Sequence, residues 1–482
     1  MVLLLCAPLG RAQEWQSLFD GQSLSGWKAS DSEGSFKVLD GTIECNGPRS
    51  HLFYVGPDGS AEFKNFEFSA EVLAKNGANS GIYFHTEFQA KGFPDKGFEA
   101  QVLNVPGGEN GYRENKLTGS LYALRNVYKP VVKDDEWFTM HIEVRGKRIQ
   151  IRVNDTLLVD YLEPDPAPDV PEHAQRKLDH GTFALQCHDA HSRVFFRNLK
   201  VRKLADAPPE LARGAPRLTD YEQEIIRLGA ANFPVVNYHT HLKGGLTLEQ
   251  ALASSRQTGV FYAIAVNCGL NFSVTNDAGI AEYLSTMRGQ PCFVAMQAEG
   301  REWVNMFSRE AISRFDYVFT DAMTIVDDSG RRMRLWMPNE VPAIPDPQAF
   351  MDMLVDRTVK ILNNEPIDVY VNPTFLPDAI AADYDRLWTE ERMKKVVAAA
   401  AARKIAIEIS SRYQLPRLPF LKLAKTAGCK FTCGTNNGDR DIGRLDYSFK
   451  MVRELGLKWQ DIWVPTKLAG AVPADNTRPR PL

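Results

Sequence analysis

Two histidines, His239 and His241, are separated by a single residue in the second half of this 482-residue sequence. In an extended strand, residues two apart point to the same side, with roughly 6–7 Å between their Cα atoms. Two neutral imidazoles placed in this way can bind one zinc, manganese or iron ion. Such an ion lowers the pKa of a bound water and turns it into a nucleophile. The pair alone is weak evidence, because two ordinary histidines give the same pattern.

Polar side chains stand at or near the ends of successive apolar runs in the same half of the sequence. Besides the two histidines, they are Asn267, Glu299, Asp321, Asn372, Glu408, Asn436 and Asn437. In a barrel of alternating strands and helices, the active site collects at the C-terminal ends of the strands. The sequence therefore predicts a divalent-metal site with the ligands His239, His241, Glu299, Asp321 and Glu408. The alternative is a barrel mouth that holds two ordinary histidines and no metal.

The elements that would hold these residues alternate between strand and helix from residue 217 onward. The predicted strands are Phe233–Asn237, Val260–Asn267, Cys292–Ala298, Tyr317–Thr320, Ile367–Val371, Ile405–Ile409 and Lys430–Cys433, with a last short one at Ile462–Val464. The helical stretches include Leu248–Thr258, Pro347–Asn363, Glu390–Lys404 and Leu445–Leu455. This alternation favours a parallel sheet, and about seven units favour its closure into a TIM-like α/β barrel over residues 217–482.

The segment Asn237–Leu242 resembles the opening motif of the polymerase and histidinol phosphatase (PHP) metallohydrolases and, more loosely, that of the amidohydrolases. In this resemblance Glu299 matches the bridging glutamate. Asn372 stands in place of a later histidine ligand, and Gly434–Gly438 replaces the closing Ser-Asp-Ala-His pattern. His239 and His241 are the only histidines after residue 191. The resemblance is thus compatible with one metal, or two, but not with a full three-metal site.

Residues 14–203 have a different pattern, in which apolar and polar residues alternate with the period of two that is typical of half-buried strands. Phe66–Val72, His141–Arg145 and Ile149–Val153 are examples, and Asp-Gly turns recur between such runs. Many short strands with little helical pattern predict an all-β, two-sheet jelly-roll sandwich. The Ala- and Pro-rich composition of residues 204–216 is typical of a semi-rigid linker.

Several stretches of this region resemble the 3-keto-disaccharide hydrolase domain family, whose fold is a concanavalin-like jelly roll. They are Ser17–Trp27 with its Leu-Phe-Asp-Gly motif, Asn79–His85, Gly97–Leu103 and Leu185–Leu199. The sequence departs from the family at residues 189–191, Asp-Ala-His, where a glycine is usual. The resemblance extends over most of the region and implies the same fold.

The resemblance also implies cleavage of glycosides that are already oxidised at C3. A ketone at C3 acidifies the hydrogen on C2, so that a base can remove it and the group on C1 leaves by β-elimination. Addition of water then completes a net hydrolysis. The reaction needs a base, an electrophile for the enolate and a proton for the leaving group. The catalytic candidates are Glu99 as the base, with His85 and His188, and the substrate-binding candidates are Gln101, Gln186, Arg125 and Lys116.

Two other hypotheses remain open. Without the resemblance, Glu99 and Gln101 fit a solvated strand face equally well, and His85 fits a structural histidine. The jelly roll could then be a sugar-binding module attached to a barrel that alone is a metal-dependent hydrolase, phosphoesterase or amidohydrolase-like. In a third hypothesis the barrel is a scaffold.

Composition limits the classes of function further. Hydrophobic residues make up 44% and charged residues 24%, which excludes a disordered or collagen-like chain. The net charge of −3 excludes a global basic field for nucleic acid. Residues 1–13 resemble the remnant of a signal peptide, and no later stretch has the ~20 apolar residues of a membrane span. We therefore expect a periplasmic or secreted protein that acts on carbohydrate; its oligomeric state stays open.

Overall fold

The computed structural model of the protein describes residues 14–108, 111–327 and 329–465, so the predicted signal remnant lies outside the described residues. The chain divides into two compact units. The first comprises the residues up to Val235 together with Ser254–Val260, and the second comprises Val236–Ala253 and the residues from Phe261 onward. The domain limits 14–203 and 217–482 stay predictions. The expected linker, residues 204–216, is hydrogen-bonded within the first unit, where Lys147 N donates to Leu211 O at 2.7 Å.

The first unit consists mainly of strands. They are β1 Gln16–Ser17, β2 Trp27–Ala29, β3 Phe36–Leu39, β4 Thr42–Asn46, β5 Ser50–Tyr54, β6 Phe66–Ala74, β7 Asn79–Thr86, β8 Phe98–Leu103, β9 Phe138–Arg145, β10 Arg148–Val153, β11 Thr156–Leu162, β12 Thr182–Cys187 and β13 Arg193–Lys203. A 3₁₀ turn spans Glu33–Ser35, and helices α1 and α2 span Pro209–Ala212 and Asp220–Ala230.

These strands form two antiparallel sheets. The first has the order β11-β10-β9-β6-β13-β4-β3, with β1 paired to β13, and the second has the order β2-β5-β12-β7-β8. Phe183 of β12 lies with its ring centroid 4.9 Å from that of Phe66 and 4.6 Å from that of Phe68, both on β6. All three side chains are fully buried, so the core lies between the two sheets. The predicted all-β sandwich is confirmed.

The second unit alternates strands with helices. Its strands are β14 Val236–Thr240, β15 Phe261–Gly269, β16 Phe293–Glu299, β17 Tyr317–Thr320, β18 Thr324–Val326, β19 Arg332–Arg334, β20 Val369–Tyr370, β21 Ala406–Ser410 and β22 Phe431–Gly434. The helices from α3 onward are α3 Leu248–Thr258, α4 Asp277–Thr286, α5 Trp303–Met306, α6 Arg309–Ser313, α7 Pro347–Asn364, α8 Asp378–Ala381, α9 Tyr384–Leu387, α10 Glu390–Arg403, α11 Leu418–Thr426 and α12 Asp446–Leu455. A 3₁₀ turn spans Trp459–Asp461.

Seven strands of the described chain close into a parallel barrel in the order β14-β15-β16-β17-β20-β21-β22. Pairing of Asn237 on β14 with Cys433 on β22 closes the ring. The predicted closed parallel barrel is confirmed, but it differs from the eight-stranded TIM barrel in strand number and in the β18–β19 hairpin that precedes α7. The prediction of a strand at 462–464 is wrong, because Ile462 makes only an isolated bridge with Phe431.

Helix ends in the barrel unit follow local sequence signals. Asp346 caps α7 by accepting hydrogen bonds from the backbone N–H groups of Gln348 and Ala349, next to a proline in the first turn. Thr389 caps α10 in the same way, and Lys404 ends that helix in a left-handed conformation. Among the described residues, no helix is both long and apolar enough to cross a membrane.

Candidate active sites

One face of the five-stranded sheet carries several of the predicted residues. Glu99 on β8 is the cross-strand partner of Tyr83 on β7, which in turn is the partner of Ala184 on β12. Gln186 lies two residues beyond Ala184, and its partner on β5 is His51. Because side chains alternate along a strand and partners share a face, these residues lie on the same side of the sheet.

Glu99 is held in place by three neighbours on this face. Gln186 Nε2 lies 3.3 Å from Glu99 Oε1 and 3.2 Å from the Tyr83 hydroxyl, which itself hydrogen-bonds the carboxylate. Arg176 Nη2 lies 3.6 Å from Glu99 Oε2. The carboxylate lies over Gly81, where an added Cβ would come within 2.5 Å of Oε1. The glycine therefore provides the space that the catalytic candidate occupies.

The electrostatics of Glu99 suit a general base. Burial raises the pKa of its carboxyl, and the Arg176 guanidinium opposes that shift. The residue is only 5% exposed. A carboxylate in this environment binds a proton more readily than a solvated one does.

A buried cluster of charged and phenolic groups lies beside Glu99. Lys116 Nζ lies 2.7 Å from Glu114 Oε1 and 4.4 Å from the centre of the Tyr122 ring. The hydroxyls of Tyr112 and Tyr122 donate to Glu114 Oε2 at 2.8 and 3.0 Å. Burial lowers the pKa of Lys116, whereas the neighbouring Glu114 and Glu99 carboxylates raise it. The structure thus brings the predicted residue Lys116 into the electrostatic field of Glu99.

His188 directly follows β12, the central strand of this sheet. Its Nδ1 lies 2.7 Å from Asp189 Oδ2, and about a third of the side chain is exposed. Its proximity lowers the pKa of the Glu99 carboxyl, and its ring centroid lies 5.8 Å from that of Phe93. An Asp–His pair with a free Nε2 can deliver a proton to a leaving group.

Two of the predicted residues are engaged away from this face, and a third makes its hydrogen bond on it. His85 Nε2 lies 2.9 Å from Lys64 O, and burial lowers the pKa of the imidazole to about 4. Arg125 donates to the carbonyls of Arg256 and Gln257 at 3.1 and 2.8 Å. Gln101 follows Glu99 by two residues on β8 and therefore lies on the same face, where it donates to Asn79 Oδ1 at 3.0 Å. The structure therefore groups Glu99 with Gln101, Gln186, Lys116 and His188, but not with His85 or Arg125.

The face also contains residues that no sequence motif marked. They are His51, Tyr83, Glu114, Tyr122 and Arg176. The alternation of the strand that contains His85 would have pointed to Tyr83, two residues earlier. Arg176 comes from a coil region between β11 and β12, and nothing in its local sequence marks it.

In the barrel unit, the two predicted histidines have the same arrangement of ring nitrogens. His239 Nδ1 lies 2.8 Å from Glu408 Oε1, and His241 Nδ1 lies 3.1 Å from Ala265 O. His239 Nε2 lies 3.2 Å from Gln297 Oε1, and the Gln297 side chain also lies close enough to His241 to influence its pKa. Anchoring of Nδ1 by a carboxylate or a backbone carbonyl, with Nε2 turned inward, is typical of metal-binding histidines.

Two of the predicted carboxylates share this neighbourhood. Burial and the nearby Asp321 raise the pKa of Glu299 to about 7, and burial raises the pKa of Asp321. Glu299 Oε1 accepts from Asn267 Nδ2 at 2.6 Å and from Gln297 Nε2 at 2.9 Å. Glu408, by contrast, is held between His239 and the backbone N–H of Asn372 at 2.8 Å. It orients a histidine and is not itself directed at the space between the rings.

The side chains at this place are of the types that bind metal ions, but they are not all close enough together to bind one ion. His241 Nε2 is buried without a hydrogen-bond partner, and burial holds the pKa of this imidazole well below its usual range, as a ligand requires. Within residues 14–108, 111–327 and 329–465, however, no three His, Cys, Asp or Glu side chains are gathered closely enough to hold a metal ion. Gln297 lies at the point that both Nε2 atoms face.

A polar cavity of about 360 Å³ also belongs to the barrel unit. Its lining includes Ser411, Arg412, Thr435 and Asn437. Asn437 Oδ1 accepts from the backbone N–H of His241 at 2.7 Å, which connects the cavity to the histidine pair. A small polar ligand could reach this position from solvent.

Several solved structures are similar to parts of the chain. A candidate glycosyl hydrolase from Parabacteroides distasonis shares 20% identity, covering 40% of this chain and 94% of that chain, with a TM-score of 0.33. The carbohydrate-binding module CBM66 from Bacillus subtilis shares 16%, covering 40% and 98%, with a TM-score of 0.23. Histidinol phosphate phosphatase from Lactococcus lactis shares 14%, covering 48% and 100%, with a TM-score of 0.37. All three TM-scores lie below 0.5, so these similarities establish neither fold nor function.

No curated protein matches the chain at a significant level. A family model, by contrast, matches part of the chain. Residues 14–202, which contain the Glu99 face, match the model of the 3-keto-alpha-glucoside-1,2-lyase-like domain.

Proposed function

We propose that the first unit cleaves glycosides whose C3 hydroxyl has been oxidised to a ketone, with Glu99 as the general base. The family match of residues 14–202 supports a carbohydrate-active function. The observation that carries the finer proposal is the buried Glu99 carboxylate, which lies beside Arg176 and near Lys116, with Gln186 and Tyr83 fixing its orientation.

The chemistry follows from the acidity of the hydrogen on C2. Glu99 removes that proton, the electron pair forms the C1=C2 bond, and the bond from C1 to the leaving-group oxygen breaks. Water then adds to C1 while C2 takes up a proton, which gives a 3-keto sugar and a free alcohol. Charge develops on the C3 oxygen when the C2 proton leaves, so a fixed cation near that oxygen lowers the barrier.

Lys116 and Arg176 are our candidates for this cation. Lys116 Nζ donates to Glu114 at 2.7 Å and to Asn232 Oδ1 at 3.2 Å. An ammonium group has three hydrogens, so one remains for a substrate oxygen. Arg176 Nη1 donates to Tyr122 O at 2.8 Å, which holds the guanidinium against Glu99. His188, oriented by Asp189, supplies the proton for the leaving group.

The direct test is incubation of the purified protein with a 3-keto glucoside and with the same glucoside not oxidised at C3. Cleavage should require the ketone, because only the ketone acidifies the hydrogen on C2. Equal cleavage of the two compounds would contradict the proposal. Binding without cleavage would favour the alternative of a sugar-binding module.

The pH dependence of cleavage should report the environment of Glu99. A base must be deprotonated, so kcat/KM rises with pH through the pKa of Glu99 in the free enzyme. Because burial raises that pKa, the midpoint of the acidic limb should lie above the ordinary glutamate value of 4.5. Arg176→Gln removes a cation that lowers the pKa, so its acidic limb should move to still higher pH. An acidic limb below pH 4.5 in the wild-type protein would contradict the role of Glu99.

For the barrel unit we propose a second, metal-assisted site, and the observation that favours it is the shared orientation of His239 and His241. The two Nε2 atoms, with Asp321 or Glu299 after a side-chain rotation, would hold one zinc, manganese or iron ion. Such an ion supplies a water of lowered pKa. In the protein itself, Glu408 fixes the His239 ring and the Ala265 carbonyl fixes the His241 ring.

Metal content tests this second site. His241→Ala should weaken metal affinity at least ~10–100-fold, which is the loss found when even outer partners of metal ligands are removed. Elemental analysis of the purified variants measures the effect, and His180→Ala, an exposed histidine of the first unit, serves as the control. Substoichiometric metal that His241→Ala leaves unchanged would favour the scaffold hypothesis for the barrel.

The proposed location of the protein is the periplasm or the exterior of the cell. This proposal depends on residues 1–13 and on the carbohydrate substrate. Its test is whether a fusion of the full chain to a reporter enzyme is exported, with a variant lacking residues 1–13 as the control.

A further inference from the structure

Two exposed phenylalanines lie on the loop between β7 and β8, which carries the chain towards Glu99. Phe88 is 36% exposed and Phe93 is 43% exposed. Large apolar side chains that lie close together at a protein surface mark interaction or ligand-binding sites. We call residues 87–97, with these two rings, the aromatic loop.

Hydrogen bonds, rather than burial of its phenylalanines, stabilise the conformation of the aromatic loop. Asp31 N donates to Ala90 O at 3.1 Å, and Gly92 N donates to Asp31 Oδ2 at 3.0 Å. Gln89 Nε2 donates to the carbonyls of Lys91 and Phe93 at 2.7 and 2.8 Å. The loop therefore presents its rings from a fixed frame.

Each ring is also held by a cation. Lys28 Nζ lies 3.9 Å from the centre of the Phe88 ring, and the Arg49 guanidinium lies 5.2 Å from the centre of the Phe93 ring. These distances are those of cation–π contacts, which restrict how a ring can turn. The two exposed rings are therefore held in defined orientations by these cations.

Both rings contact the residues of the Glu99 face. The Phe88 centroid lies 5.4 Å from that of Phe53, and the Phe93 centroid lies 5.7 Å from that of His51 and 5.8 Å from that of His188. Phe93 thus lies next to the residue that we assign as proton donor to the leaving group. The cations that suit the keto sugar, Lys116 and Arg176, belong to the other end of the face, around Tyr122.

His51 supplies a second observation at the same place. Its side chain is fully buried, and neither ring nitrogen has a hydrogen-bond partner. One nitrogen of a neutral imidazole carries a hydrogen, and leaving such a donor unpaired is costly. An oxygen of the leaving group that arrives beside His188 would give this donor a hydrogen-bond partner.

We propose that the aromatic loop is the leaving-group subsite of the first unit and that it selects glycosides with a planar aromatic group near the glycosidic oxygen. The aromatic group stacks on Phe93, with Phe88 beside it, and His51 donates to an oxygen of the leaving group. The inference rests on the proposed function, because it divides the same face into a subsite for the keto sugar and a subsite for the departing alcohol.

The test uses two 3-keto glucosides whose leaving groups are similar in size and basicity but differ in planarity. They are the benzyl and the cyclohexylmethyl compounds, and the ratio of their kcat/KM values is the quantity compared. The wild-type protein should prefer the benzyl compound about 3–10-fold, as expected for one good aromatic contact. Phe93→Leu keeps an apolar side chain without the ring, and it should bring the ratio close to one, mainly through KM.

Trp15→Leu is the matched control. Trp15 is also exposed, at 37%, and also lies near two cations, Lys200 and Arg202, but it precedes β1 at the eight-stranded sheet. Its variant should leave the ratio at the wild-type value. A wild-type ratio near one, or an equal fall in both substrates with Phe93→Leu, would overturn the proposal.

Failure of the proposed function gives a separate result. If the wild-type protein cleaves neither compound, calorimetric titration with the two intact glucosides decides the subsite independently of catalysis. Tighter binding of the benzyl compound that is lost in Phe93→Leu would support the subsite. Equal binding of both compounds would overturn it.

Discussion

Replacing Glu99 by glutamine is expected to lower kcat for a 3-keto glucoside by ~10²–10⁴-fold, which is the usual contribution of a positioned general base. Glutamine has nearly the same volume and can still accept hydrogen bonds from Gln186 and Tyr83. It cannot take up the proton from C2. The comparison of steady-state rates at the pH optimum of the wild-type protein measures the effect.

A second glutamate of the same unit provides the control for this variant. Glu143 lies on β9, in the other sheet, so Glu143→Gln makes the same chemical change away from the Glu99 face. It should leave kcat unchanged. If Glu99→Gln folded normally and retained turnover similar to that of Glu143→Gln, Glu99 would not be the base.

The second large effect is expected on stability. Lys116 and Glu114 form an ion pair whose side chains are 1% and 5% exposed. Removal of one partner leaves an uncompensated buried charge, which typically costs about 3–5 kcal/mol. Lys116→Met should therefore lower the free energy of unfolding of the first unit by about that amount, measured by urea titration.

The double variant Lys116→Met/Glu114→Gln separates the charge effect from loss of packing. Without either charge, most of the lost stability should return, because a neutral pair needs no compensation. Lys133→Met removes an exposed pair with Glu136 and should change stability by at most about 1 kcal/mol. Equal stability of Lys116→Met and Lys133→Met would contradict the view that the cluster is electrostatically coupled.

The main elements of both units could be predicted from the sequence because their patterns are periodic. The alternation in Phe66–Val72 lies within β6, whose burial alternates along its whole length. The predicted barrel strand Tyr317–Thr320 is found with the same bounds. The strand expected at Ile462–Val464 is one exception, because a short apolar run does not show whether a neighbouring strand has a free edge to pair with it.

The composition of the Glu99 face was only partly predictable, and His85 shows why. It follows Tyr83 by two residues, so regular alternation would place its ring on the Glu99 face. The backbone at His85 has φ = 52°, which breaks the alternation, and the pairing register shifts at its neighbour β12. The imidazole consequently contacts Lys64 O. No local sequence pattern reveals a single residue with positive φ.

The barrel site illustrates a different limit. The spacing of His239 and His241 was sufficient to predict that their rings lie together, and their centroids are 5.2 Å apart. The position of Gln297 near both histidines depends on β16, which is separated from β14 by β15 in the closed ring of strands. A glutamine in an apolar strand gives no signal of that contact.

The central claim is that Glu99 removes the hydrogen from C2 of a 3-keto glycoside, and isotope incorporation tests it most directly. Cleavage in D₂O should give a 3-keto sugar with one deuterium at C2, detected by NMR at early times. The isolated product, incubated without protein, corrects for spontaneous exchange, and Glu99→Gln should slow cleavage and incorporation together by the same ~10²–10⁴-fold. Release of the alcohol by the wild-type protein with the original hydrogen retained at C2 would contradict the account.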